Sequence, residues 1–128
     1  MNELEIIEEK LKVREDIQNP ELGEELAIGS AFLALKGRVS TKKIQKWVEK
    51  KYHWEPTEDK ILVVMVASVG FVTLPLAGWV LDKQKLAEWL EAIILHLDLN
   101  LDKNHPLIHS LEEYKKRKGK DKYLNIKY

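Results

Sequence analysis

The chain has 128 residues, 45% hydrophobic and 33% charged, with a formal net charge of zero and no cysteine. That length suits one domain with a real core, and the composition excludes a disordered chain. The absence of cysteine excludes disulfide staples and thiolate-ligated metal.

Zero net charge conceals strong segregation. Residues 1–35 hold 9 acidic and 3 basic side chains, residues 36–60 hold 4 and 8, residues 61–114 hold 7 and 3, and residues 115–128 hold 1 and 7. A local positive patch is therefore compatible with a neutral molecule.

In chain order, the opening MNELEIIEEKLK is acidic and helical, unlike the basic-then-apolar pattern of a secretory signal, so a cytoplasmic location is expected. The spacing predicts a helix over 3–18. Leu4, Ile7 and Leu11 lie on one side, and Ile6, Val13 and Ile17 on a nearly opposite one. A helix apolar on two faces needs cover on both, which points to a homodimer through residues 3–18. Asn19-Pro20-Glu21 punctuates the chain, and a second helix over 20–36 follows. Its Gly23, Ala27, Gly29, Ser30, Ala31 and Ala34 keep it slim, and Gly37 is placed to stop it.

Ser40 or Thr41 caps a third helix over 41–52, with Ile44, Trp47, Val48 and Tyr52 on one side and Lys42, Lys43, Lys46 and Lys50 on the other. Then comes Ile61 to Leu81, 21 residues without a charge. A membrane span needs roughly 20 apolar residues, so a span is one reading. Ser68, Gly70, Thr73, Pro75 and Gly78 interrupt the run, and Pro75 would break a continuous helix. The run is therefore expected as a buried helical hairpin, about 57–70 and 75–81, with Val64, Val66, Phe71 and Leu76 inside; a membrane role is disfavoured. Further helices are expected over 83–97 and 106–118, with Gly119 ending the last, and KDKYLNIKY reads as a tail or a lone strand. The fold class expected is all-α: six or seven short helices, with 1–118 one helical domain and 119–128 a short basic C-terminal tail.

Among functional patterns, helices 20–36 and 41–52 with a tight turn between them resemble a helix-turn-helix. On that reading Arg38, Ser40, Thr41, Lys42, Lys43, Gln45, Lys46 and Lys50 would contact DNA or RNA, the lysines on phosphates and Thr41 or Gln45 nearest the bases. The basic block at 115–123 could track phosphates as an arm. The alternative is a helical protein-interaction or assembly module that binds no nucleic acid. His96, Asp102, His105 and His109 carry metal-ligand chemistry, but Pro106 leaves His105 outside the helix and Leu97, Leu99 and Leu101 suit a plain core-edge loop. No metal, cofactor or catalytic residue is expected: phosphate-loop, dinucleotide and nucleophile-elbow patterns are absent from the sequence.

Overall fold

The computed structural model describes residues 2–14, 19–67, 71–74, 78–117 and 119–127. In these, the chain forms α1 (Glu3–Lys12), α2 (Leu22–Ala34), β1 (Gly37–Ser40), α3 (Thr41–Tyr52), α4 (Glu58–Ala67), β2 (Phe71–Leu74), β3 (Gly78–Asp82), α5 (Lys83–His96), α6 (Pro106–Lys116) and β4 (Tyr123–Lys127). From α2 to α6 the helices stand close to where the periodicity puts them, whereas α1 stops at Lys12 and no helix is formed over 78–81. The all-α expectation fails, because the four strands form one mixed sheet in the order β1-β4-β3-β2.

Two segments account for that correction. Within the apolar run, Ile61–Ala67 belongs to α4, and the strands Phe71–Leu74 and Gly78–Asp82 pair antiparallel, with Val72 opposite Val80 and Thr73 opposite Trp79. Gly78, taken as a helix interruption, has another role. Its φ is 90°, and a Cβ there would lie 2.4 Å from the carbonyl oxygen of Ile126. Only glycine lets β3 start this close to β4. Val64 is buried as expected, Val66 is exposed, and the Phe71 side chain and Leu76 lie outside the described residues. Among the described residues no helix is long and apolar enough to cross a membrane.

The second segment is the expected basic tail. It supplies β4, which runs parallel to β1 on one side and antiparallel to β3 on the other. Leu124 and Ile126 are fully buried while Tyr123 and Lys127 face out, the period-2 alternation of a strand with one covered face. An interior strand cannot be a tail.

The helices pack around α2. Leu26, Ile28, Phe32 and Leu33 are completely buried, as are the small residues Ala27, Ser30 and Ala31 between them. A helix apolar on every side belongs in the middle. Slimness lets neighbours close in: a Cβ on Gly23 would meet Glu8 of α1 at 3.1 Å, and one on Gly29 would meet Leu90 of α5 at 3.4 Å. Tyr52 of α3 reaches the same core and hydrogen-bonds Ser30, 2.7 Å away, whose hydroxyl in turn donates to the Ala27 carbonyl.

The C-terminal end of α2 is closed by residues from elsewhere. It has no basic residue in its own last turn, so its free carbonyls need outside donors. Lys83, at the start of α5 and fully buried, donates to the carbonyls of Leu33 (3.1 Å) and Leu35 and to Asp121 Oδ2 (2.7 Å). Arg117, just past α6, donates to Leu33 (3.0 Å), to Ala34 (3.4 Å) and to the same Asp121 oxygen. Burial holds the Lys83 ammonium below the usual lysine range, and Asp121 pulls the other way. The backbone N–H of Lys83 also donates to the Lys122 carbonyl at 3.0 Å, which sets the height at which β4 enters the sheet.

Removing one member of a buried charge pair typically costs about 3–5 kcal/mol, because the other is left uncompensated. Lys83→Met should lose free energy in that range in urea unfolding, with the denaturant slope unchanged. A loss below about 1 kcal/mol, the size expected of an exposed pair, would show that the clamp is not coupled to folding. A chain stopped after Lys122 loses an interior strand and should show no cooperative unfolding transition by circular dichroism. Native-like melting of that truncated chain would restore the tail reading.

Candidate interaction surfaces

The helix-turn-helix reading does not survive the fold. Its turn, 37–40, is strand β1, held by parallel pairing of Arg38 with Asn125 and Ser40 with Lys127. Its first helix is α2, the most enclosed element of the core rather than a surface helix. Nothing among the described residues is specific to nucleic-acid recognition.

The expected contact residues nonetheless have definite places. Arg38, Lys42, Lys43, Lys46 and Lys50 are exposed, and among the described residues none of them has an ion-pair partner. Ser40 accepts from the N–H of Lys43 at 3.2 Å and is spent as a helix cap. Thr41 is buried, and Gln45 donates to the Pro56 carbonyl at 2.9 Å. The two side chains placed nearest the bases are thus turned inward. Trp54 is half-buried against the core, as is Trp47.

On α1 the helix ends at Lys12, six residues short of its expected end, and residues 15–18 lie outside the described residues, Ile17 with them. Ile6 is half-buried and Val13 is 79% exposed.

The histidine region is structural. His105 caps α6: Leu107 N–H donates to Nδ1 at 3.2 Å, so the ring proton sits on Nε2 and donates to the Glu3 carbonyl at 3.0 Å. The ring packs edge-on against Tyr52, centroids 5.8 Å apart. Both nitrogens are therefore committed, His96 and His109 are exposed, and Asp102 accepts from Asn104 N–H at 2.8 Å. Among the described residues no group of three His, Asp or Glu side chains is arranged to hold a metal ion. Leu97 and Leu99 are buried with Asp98 and Asn100 outside, the core-edge crossing that their alternation suggests.

Among the concave surfaces of the described residues, two bring together side chains that spacing did not single out. One lies between α5 and α6 and is floored by Ile94, Leu99, Ile108 and Leu111, with Glu91, Asp98, Glu112 and Lys115 among its polar lining; its volume is about 490 Å³. Leu95 stands in it 83% exposed. On the rim, Glu91 is paired with Lys115 at 2.8 Å, while Asp98 and Glu112 have no ion-pair partner among the described residues. The signal in the sequence was the run Ile93-Ile94-Leu95: three successive large apolar residues cannot all face one core from a helix. The other surface is a basic cleft lined by Lys36, Lys116, Arg117, Lys120 and Asp121, in which parts of the two basic blocks meet.

No protein-family model matches the chain, no curated protein matches its sequence, and no solved structure matches its fold. The surfaces themselves carry the functional reading.

His105 also sets a pH dependence. Burial lowers its pKa below the ordinary 6.5, against the opposing pull of Glu3 and Asp102. A group with a depressed folded pKa gives its full contribution above the unfolded value and loses it as pH falls through the folded one. Stability should therefore decline on acidification below about pH 6.5. His105→Asn keeps a capping oxygen but cannot titrate, and should flatten that part of the urea-midpoint profile. An unchanged profile would assign the acid sensitivity to carboxylates alone.

Proposed function

We propose that this compact, mostly helical protein is a non-catalytic protein-interaction module whose α5–α6 groove receives a basic amphipathic helix from a partner. The observation that carries the reading is Leu95, 83% exposed beside an apolar floor that includes Ile94 and Ile108. Single exposed apolar residues are ordinary, but a concave apolar strip rimmed by charge suits an apolar helix face laid into a groove. Charge complementarity selects the occupant. The unpaired rim residues Asp98 and Glu112 are both acidic, so lysines or arginines flanking an apolar stripe would be attracted and acidic helices repelled.

The test is an amide-shift titration with a helical peptide of about 18 residues, leucines at i, i+3 or i+4 and i+7 and lysines beside them. Perturbed amides should be confined to residues 91–100 and 108–115. Leu95→Glu should weaken binding at least about tenfold, or about 1.4 kcal/mol, without lowering the melting temperature, since Leu95 supports no core contact. A peptide of scrambled order binding equally well, or Leu95→Glu binding unchanged, would overturn the proposal.

A further inference from the structure

The basic cleft is formed by three parts of the chain that are remote in sequence. Lys36 leaves the end of α2, Lys116 and Arg117 close α6, and Lys120 and Asp121 lead into β4. The cleft is open, with a volume of about 360 Å³. Four cationic side chains line it against one carboxylate, and that carboxylate is already used: Asp121 Oδ2 accepts from both Lys83 and Arg117. The α2 carbonyls beneath are likewise taken by these two residues. The negative groups at the base of the cleft are therefore neutralised from within. Lys36 and Lys120 have no ion-pair partner among the described residues, and Lys116 reaches Glu113 only at 3.4 Å on the surface.

The backbone leaves room as well. Gly37 and Gly119, adjacent to Lys36 and Lys120, have φ of 72° and 82°; apart from its chain neighbours nothing would lie within 4 Å of a Cβ at Gly37, and one at Gly119 would meet Lys122 Cε only at 3.9 Å. The chain turns sharply at both places without a side chain intruding.

From this geometry we infer that the cleft is a binding site for a phosphate group, carried either by a phosphorylated segment of a partner protein or by a free phosphate anion. A phosphate carries about −1.5 to −2 charge at neutral pH with three acceptor oxygens, which matches several converging cations better than a single carboxylate does. The lysines serve as point charges and Arg117 as the fixed wall, since its guanidinium is held by α2 and Asp121. This site lies apart from the α5–α6 groove and stands independently of the function proposed for it.

The probes are inorganic phosphate and a phosphoserine peptide, titrated into the whole protein at ionic strength matched with sodium chloride, with backbone amide shifts as readout. Amides of residues 36–38 and 119–122 should move along saturable curves. Lys36→Gln with Lys120→Gln, both exposed positions, should weaken the apparent affinity at least tenfold with unchanged melting. Lys42→Gln with Lys46→Gln removes the same charge from α3 and should leave affinity within twofold. Tighter binding of the peptide than of phosphate names a phosphorylated partner as the source, and equal binding names the free anion. Shifts that grow linearly without saturation, that chloride reproduces, or that the α3 pair abolishes as fully as the cleft pair would overturn the site.

Discussion

The clamp of Lys83, Arg117 and Asp121 on the end of α2 is the constraint on which the rest of the molecule depends. A helix enclosed on all sides cannot leave its last carbonyls to water, and α2 has no basic residue in its final turn to serve them. Lys83 and Arg117 reach in from two other elements, and Asp121 balances their charge in a place where an unpaired cation would be costly. One set of bonds thereby fixes the start of α5, the end of α6 and the entry of β4. Because β4 lies between β1 and β3, the sheet is positioned by the same clamp.

The chemistry of the surface follows from that arrangement. Closing α2 with cations brings the C-terminal basic block against Lys36, and this is how parts of two separated basic segments of a neutral chain come to share one cleft. On the opposite account, α5 spends Leu86 and Leu90 on the core and has apolar residues to spare, so Leu95 is left over the α5–α6 groove. The lysines of α3 remain a solvated outer face, because Ile44, Val48 and Tyr52 fix which side of that helix turns inward.

His105 shows how a residue with ligand chemistry can be absorbed by structure. Its two ring nitrogens join the beginnings of α1 and α6, one by capping and one through the Glu3 carbonyl. In the sequence it stood among other histidines and aspartates at plausible ligand spacing. What distinguishes the structural role is burial against Tyr52, a contact between residues 53 positions apart that no local spacing reveals.

The helices were legible because their signals are local. The apolar stripe of α3, its Ser40 cap and its outward lysines are read within a dozen residues, and the small residues of α2 showed that neighbours could approach it closely, though not that it is enclosed on all sides. The strands were not, because each depends on a distant partner. In the uncharged run 61–81, helix and strand patterns are equally apolar, and Gly78 becomes intelligible only beside the Ile126 carbonyl. Likewise Tyr123 to Lys127 shows a strand's alternation, yet the partners that hold it, β1 and β3, lie more than 40 residues away in the chain. The sequence by itself determined where α2 to α6 lie, which face of the amphipathic ones is apolar, and where charge of each sign resides. Tertiary structure alone decided that Tyr123–Lys127 lies inside the sheet, that Lys83 is buried, and that the α5–α6 groove and the basic cleft open at the surface, since pairing and burial are properties of residues far apart in the chain.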